Sequence, residues 1–384
     1  MRNKEIPKGL RDLLPDEMKT RRKLEKTTAE LFTSFGYEEV LTPTFEFLEV
    51  VEAGGNMREK LFLFMDREGG ILSLRPEMTV SIARLAATHL QDEKLPRRLC
   101  YSTNVFRHVE PHLAQYREFW QTGIELLGAS GPWADAEVIS LAVKLMLEFG
   151  VNNFIVSLNQ IGIFNSLLED SAIETEEKDA IRKLVEKKDL VELSRTLEKL
   201  PISDPLKETI ALLPTMHGGL EVLNKFPYLE KSRNAAQAVE ELIQIYTALQ
   251  CMGVQEQILV DMGVIRGLDY YTGMVFEGFS PDLGYGLLGG GRYDRLLSQF
   301  GFPCPATGFA LGMDRLTLVL KSQHKEPPRY LVGGADLRKV LQKADSLRLK
   351  GKIVELDVER LSRAELETKL SDRDQYTLIY VDGE

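Results

Sequence analysis

Cysteine is scarce: Cys100, Cys251 and Cys304 are the three in the chain. They stand far apart in no paired metal-ligand spacing, and an odd, scattered set argues against a disulfide framework and for a reducing compartment. All three are expected to be core or near-core thiols. Long apolar runs are missing too. None approaches the ~20 residues that a membrane-spanning helix needs, and the opening MRNKEIPKGLRDLLP lacks the apolar centre of a secretory signal, so a cytoplasmic protein is expected. Positive charge is in deficit, with 48 Lys and Arg against 58 Asp and Glu and a formal net charge of -10. Such a surface does not hold nucleic acid by general phosphate neutralisation, although a local basic groove is compatible with it. No Ser/His/Asp arrangement and no paired metal ligands are evident, so no cofactor or metal is expected. What is present is ordinary: 43% hydrophobic and 28% charged residues over 384 positions can fill one large domain and at least one smaller one.

The segment MKTRRKLEKTTAELFTSFGYEEVLTPTFEFLEV reads as a long helix, with Leu24, Ala29, Leu31 and Phe32 at helical spacing and Gly36 as its stop. It runs into a strand that Pro43 interrupts. LFLFMD and ILSLRPE, separated by REGG, predict a hairpin. The helix TVSIARLAATHLQ follows, then a second hairpin from RRLCYSTNVFRHV and YREFWQTGIELLG, then the helix ADAEVISLAVKLMLEFGV. Residues 163–250 are rich in Leu, Glu and Lys at helical periods and read as an inserted helical domain with a solvated charged face. Strand-like sequence returns in QILVDMGVIRGLDYYTGMVFEGFS, ahead of YGLLGGGRYDRL and ATGFALGMDRLTLVLKSQ. HKEPPRY is a linker by composition. The large domain is therefore placed at 1–322, and a small unit of alternating strand and helix at 328–384.

Four clusters set polar or charged residues beside strand-like runs: LRPEMT (74–79), VFRHVEPHLAQYREFWQTG (105–123) with Glu125 beyond it, RGLDYYTG (266–273) and LLGGGRYD (287–294). Charges on half-buried strands need partners. Each cluster also has a plain reading. GGG without a Walker lysine is as readily a tight bend where backbones approach as a phosphate cradle. Glu77, after a proline, suits the start of the following helix. Arg107 suits a structural ion pair, and His108 and His112 suit the surface. Together, the clusters hold what a zwitterionic amino acid needs. Glu77 and Thr79 suit an α-ammonium, Gln121 a bridge, and Arg266 a two-pronged contact with an α-carboxylate. Glu125 and Tyr271 suit a polar side chain, an imidazole N–H above all.

The order of these pieces resembles the catalytic core of class II aminoacyl-tRNA synthetases, and the histidyl enzymes in particular. GYEEVLTPTFE with Pro43 is similar to their first motif at a dimer interface, FRHV to the FRxE of the second, and GFALGMDRL with Arg315 to the third. RGLDYYTG and GGGRYD resemble the two histidine-specific segments. The resemblance covers residues 5–320. It implies an α+β fold: an antiparallel sheet flanked by helices, with a helical insertion and a C-terminal unit in the place of an anticodon-binding domain. It also implies that Glu77, Thr79, Arg107, Gln121, Glu125, Arg266, Tyr270 and Tyr271 line a histidine pocket, with Glu125 and Tyr271 at the imidazole and Glu77, Thr79 and Gln121 at the amino group.

The departures fall on other functions. The FRxE carboxylate, which helps hold the adenine end of ATP, is Val109, and Glu110 points the opposite way along a strand. The turn EPHLAQ carries no Lys or Arg, and the C-terminal unit is short. This pattern is similar to that of the regulatory subunits of ATP phosphoribosyltransferase, synthetase paralogues without aminoacylation activity. That resemblance implies a non-catalytic chain that partners a short-form catalytic subunit in the first step of histidine biosynthesis, responds to histidine, forms a homodimer within a hetero-oligomer and does not use tRNA. Arg107 and Arg315 are retained. A histidyl-tRNA synthetase, or a paralogue that forms the histidine adenylate alone, is the alternative.

Overall fold

The computed structural model describes residues 4–55, 57–110, 115–169, 171, 173–225, 232–264, 270–320 and 327–382. Two compact units, Met1–Lys321 and Ser322–Glu384, divide the chain.

Pro15 opens helix α1 (Pro15–Ser34), where its missing N–H costs no hydrogen bond. The buried face of α1 is Leu24, Thr28 and Phe32. Ala29, expected on that face, is exposed, because five residues on from Leu24 is about 140° round a helix of 3.6 residues per turn. Strands β1 (Glu38–Glu39) and β2 (Phe45–Phe47) lie on either side of Pro43, and α2 (Leu48–Glu52) follows. The expected hairpin is β3 (Leu63–Met65) and β4 (Ile71–Leu74), and β2 joins it in a small sheet of order β2-β4-β3. Phe45, Phe47 and Phe64 share one face of this sheet by register, and they are 50%, 56% and 42% exposed. Glu46 points the other way, held by two hydrogen bonds from Arg84.

Helix α3 (Thr79–His89) leads to the long hairpin of β5 (Arg97–Phe106) and β6 (Glu118–Leu127), then to α4 (Pro132–Glu148) and β7 (Ile155–Gln160). Trp133, in the first turn of α4, is 74% exposed. The helix-rich stretch contains α5 (Ile161–Glu169), α6 (Thr175–Glu186), α7 (Leu190–Lys199) and α8 (Asp204–Leu212), then the short β8 (His217–Gly218) and α9 (Arg233–Cys251). Cys251, on the last turn of α9, is exposed, which corrects the expectation of a core thiol; Cys100 and Cys304 are buried. The chain returns through β9 (Ile258–Asp261), β10 (Met274–Phe279), β11 (Gly286–Arg292), β12 (Ala306–Gly312) and α10 (Met313–Val319).

Nine strands make one sheet of order β1-β5-β6-β12-β11-β10-β7-β9-β8. The six strands from β5 to β7 are antiparallel, as expected, but β1 pairs with β5 and β7 with β9 in parallel, so the sheet is mixed. The triple glycine is no bend: Gly289, Gly290 and Gly291 are paired on both sides in the middle of the sheet. Alternate residues serve two cores. Ile124, Leu126 and Phe309 pack with α4, α5 and α9 on one face, while Leu99, Tyr101 and Leu127 pack with Met78, Val80, Ile82 and Ala83 at α3 on the other.

The second unit is a parallel three-stranded sheet of order β14-β13-β15, from β13 (Arg329–Gly334), β14 (Ile353–Leu356) and β15 (Tyr376–Val381). Its helices α11 (Leu337–Arg348) and α12 (Arg363–Leu370) are capped by Asp336 and Ser362. Its compact core is built on Val332, Val340 and Ala344. Among the described residues of the chain, no helix is long and apolar enough to cross a membrane.

Candidate functional site

The face of the main sheet nearest α3 has a nearly bare floor. Register places Gly308, Ala310 and Gly312 of β12 beside Glu125, Gly123 and Gln121 of β6, and Gly291 and Gly289 of β11 beside Gly308 and Ala310. Side chains this small leave a cavity of about 270 Å3. The glycines are sterically required. A Cβ at Gly308 would overlap the Glu125 carboxylate, and one at Gly291 would stand 2.8 Å from the ring of Tyr271.

Seven of the eight expected pocket residues line this cavity: Glu77, Thr79, Arg107, Gln121, Glu125, Tyr270 and Tyr271. Arg266 lies outside the described residues. The deep end is built on Glu125, 1% exposed. Its Oε1 accepts from the Thr79 hydroxyl at 2.8 Å and its Oε2 from the Tyr293 hydroxyl. The Tyr270 ring is tilted against Tyr271 at 5.0 Å and meets Tyr293 edge-on at 5.8 Å. Burial pushes the Glu125 carboxyl up to about 8, the negative charge of Glu77 acts in the same direction, and the two hydroxyl donors only partly offset them.

Glu77 follows the helix-starting reading: its two oxygens accept from the backbone N–H groups of Thr79 and Val80, both at 2.9 Å, capping α3. Burial raises its pKa against those donors and the charge of Arg107. Arg107 donates from Nε to the Pro76 carbonyl at 2.8 Å and stands over the Phe119 ring at 5.5 Å. Gln121 is 9% exposed, and its Oε1 accepts no hydrogen bond among the described residues.

At the other end of the cavity Val109 forms part of the wall. Glu110 does not replace the missing carboxylate. It is at the surface, paired with Lys8 at 2.8 Å. The other arginine of the hairpin, Arg117, is a brace: its Nε donates to the Val109 carbonyl at 3.0 Å and its backbone N–H to that of Gly9 at 2.8 Å. Arg315 donates to the Gly286 carbonyl at 2.6 Å and stands 5.8 Å from the Tyr285 ring. Burial lowers its pKa, opposed by Glu277, which lines the same end. Asp314 accepts from Arg11 and from the backbone N–H of Trp120, each at 2.6 Å, and Arg21 covers the Trp120 ring at 3.1 Å. His108 is exposed, as expected, and His112 and most of the turn EPHLAQ lie outside the described residues. Among the described residues no group of three His, Cys, Asp or Glu is placed to hold a metal ion.

Two residues went unassigned in the sequence. Tyr293 lies in GGGRYD, but only the fold shows that its hydroxyl, rather than that of a neighbouring tyrosine, meets Glu125. Arg75, in LRPEMT, is 2% exposed. It donates to the carbonyls of Thr42 (2.7 Å), Pro43 (3.2 Å) and Asn104 (2.9 Å), and to Thr103 Oγ1 and Asn104 Oδ1, so one guanidinium ties the Pro43 segment to β5.

A cavity with a carboxylate capping α3 and an acid–phenol end suits a small cationic or zwitterionic ligand. Comparison with known proteins agrees in scaffold. The family described as histidyl-tRNA synthetase matches residues 9–316. A protein of Moorella thermoacetica named ATP phosphoribosyltransferase regulatory subunit is 43% identical over 376 residues, 96% of each chain. One of the same name from Desulforamulus reducens is 38% identical over 350 residues, 89% of this chain and 87% of the other. A crystal structure from Bacillus halodurans, titled as an ATP phosphoribosyltransferase regulatory subunit/histidyl-tRNA synthetase, superimposes with TM-score 0.89 at 31% identity, covering 100% of this chain and 99% of that one. The histidyl-tRNA synthetase of a Nostoc species shares the fold, with TM-score 0.83 at 22% identity over 99% and 92% of the two chains. Built on the histidyl-tRNA synthetase scaffold and matched along most of its length to proteins named ATP phosphoribosyltransferase regulatory subunit, the chain belongs to that family of regulatory subunits.

Proposed function

We propose that this chain is the non-catalytic subunit of a two-component ATP phosphoribosyltransferase in the cytoplasm, that a short-form catalytic subunit depends on it, and that it binds histidine in the cavity and passes on feedback inhibition of histidine biosynthesis. The observation that carries this reading is the contrast within one cavity. Its Glu125–Thr79–Tyr293 end is complete, while the wall where a synthetase grips adenine presents Val109 and Glu110 is spent on Lys8 at the surface. Glu125 and Tyr271 face the imidazole, Gln121 the amino group and Arg107 the carboxylate side. Arg266 is assigned to the carboxylate by sequence alone. tRNA has no part in this role.

The test is co-expression with a short-form catalytic subunit, measuring mass and phosphoribosyl transfer together. One complex is expected, with activity that needs this chain and is inhibited by histidine. Separate elution, with the catalytic subunit equally active alone, would overturn the reading.

A second reading, a histidine-activating enzyme, is favoured by one observation: Arg107 and Arg315 both line the cavity. Histidine-dependent exchange of pyrophosphate with ATP distinguishes the two, and exchange no higher than background is expected.

The half-exposed face of Phe45, Phe47 and Phe64 beside the exposed Pro43 supports a homodimer through this region. Phe47→Asp is expected to shift the isolated chain from dimer to monomer in sedimentation, while a surface control such as Glu192→Ala leaves the mass unchanged.

A further inference from the structure

Asp135 and Arg292 form a buried ion pair, 4% and 7% exposed, and neither belongs to the cavity wall. Gly291 faces the Tyr271 ring on the cavity side, so Arg292, next along β11, points to the opposite face of the sheet, where α4 packs. Its Nε donates to both oxygens of Asp135, at 3.0 and 3.1 Å, and its Nη2 stands 2.8 Å from Oδ1. Nη1 donates to the Ala129 carbonyl at 3.2 Å and to Asp294 Oδ1 at 3.0 Å. One guanidinium thereby joins the first turn of α4, and the loop before it, to the two residues that flank Tyr293.

The backbone on either side of Tyr293 is held as well. Asp294 Oδ1 accepts from the Ala306 N–H at 3.0 Å, and the Asp294 N–H donates to the Thr272 hydroxyl at 3.0 Å. The Tyr293 N–H donates to the Ala306 carbonyl, and the Arg292 carbonyl accepts from the Thr272 N–H, both at 2.8 Å. Tyr293 itself enters the cavity and donates its hydroxyl to Glu125. Burying two charges is costly, and a buried ion pair is often no more stabilising than apolar side chains of the same volume. What the forked guanidinium adds is direction, because its planar contact with a carboxylate fixes an orientation that a greasy contact does not.

We propose that the Asp135–Arg292 pair, acting from the far face of the sheet, positions the Tyr293 hydroxyl on Glu125, which makes Asp135 a positioning residue for a ligand that it does not touch. The proposal rests on the reading that histidine occupies the cavity.

Asp135→Asn removes the charge but keeps an acceptor for Arg292, and Arg292→Lys keeps the charge but removes the fork; either carries the test if the other fails to fold. Histidine is titrated calorimetrically into wild type, each variant, Tyr293→Phe, and each variant combined with Tyr293→Phe. Near neutral pH each variant is expected to bind about tenfold more weakly than wild type, as for one lost hydrogen bond to a charged group. In the Tyr293→Phe background the same substitutions should cost no more than about twofold, because the hydroxyl that they position is already gone. The pH profile gives a second readout. Around Glu125 stand Glu77, Tyr101, Tyr270 and Tyr293, and the Tyr293 and Thr79 hydroxyls hold the Glu125 pKa down against burial and Glu77. Loss of the Tyr293 donor raises that pKa, so the alkaline fall in histidine affinity should move to higher pH in the variants, as in Tyr293→Phe. Variants that melt earlier yet keep wild-type affinity and profile would make the pair a structural tie alone and overturn the proposal. Equal weakening with and without the Tyr293 hydroxyl would overturn it too, and in both cases histidine binding by wild type leaves the functional reading intact. A wild-type protein that binds no histidine would remove that reading and the proposal together.

Discussion

Replacing Glu125 by glutamine is expected to remove most of the thermal stabilisation that histidine confers at a fixed concentration, and to raise the melting temperature of the ligand-free protein at alkaline pH. With its folded pKa pushed up to about 8, Glu125 keeps a proton that an unfolded glutamate, near pKa 4.3, gives up. The folded chain thus binds more protons than the unfolded one across that window, and the stability owed to this group falls as pH rises through it. Glutamine does not ionise. The gain in melting temperature for Glu125→Gln should therefore be near zero at pH 4, grow through neutrality and level off above pH 8.

The ligand response runs the opposite way. Between the imidazole pKa of about 6.5 and that of Glu125, a protonated carboxyl and a neutral imidazole already carry the one proton that a carboxylate–imidazolium pair shares. Histidine affinity should be flat there. Above pH 8 it should fall about tenfold per unit because a proton must be taken up, and below 6.5 it should fall because one must be released. Glutamine cannot form the charged pair, so a loss on the order of 100-fold, about 2.7 kcal/mol, is expected together with loss of the alkaline limb. Calorimetric titration across pH 5.5–9.5 checks both. A variant with wild-type affinity and the wild-type alkaline limb would place histidine elsewhere.

The second large effect is expected at Arg75. Arg75→Ala deprives the buried carbonyl of Thr42 and the part-buried carbonyls of Pro43 and Asn104 of their donor, at roughly 1–3 kcal/mol each. Against a typical domain stability of about 5–15 kcal/mol, a loss on the order of 5 kcal/mol is severe. It should lower the melting temperature by about 10 °C. Arg75→Lys keeps a charge but replaces a five-donor fork by a compact ammonium, so it should recover less than half of the loss. Differential scanning calorimetry decides: a lysine variant that melts with wild type would mean that the fork geometry is not what ties these segments.

Features with a local cause were legible in the sequence. Pro43 divides β1 from β2, REGG turns β3 into β4, and the cavity-facing residues Glu77, Thr79, Gln121 and Glu125 sit in clusters that stand out as charged or polar among strand-like runs. What escaped depends on pairing between distant segments. GGG read equally as a bend because nothing local reveals that these glycines are paired on both sides in mid-sheet, with Gly291 making room for the ring of Tyr271. Thr28 rather than Ala29 was hidden in a helix whose polar threonine packs inward. Arg75 drew no assignment because the backbone carbonyls that it braces belong to segments distant from it in the chain. The parallel pairing of β1 with β5 spans some 60 residues of chain, beyond any local period.

The two tryptophans stand in very different surroundings. Trp133 is 74% exposed at the start of α4, whereas Trp120 is covered by Arg21 and held at its backbone by Asp314, one residue from Gln121 on the cavity wall. The protein therefore carries its own optical pair. Iodide or acrylamide in solution reaches the water-facing indole and darkens it selectively, and the emission that survives comes from the indole packed under Arg21 on the other face of β6, giving a label-free gauge of whether α1 stays seated on the sheet.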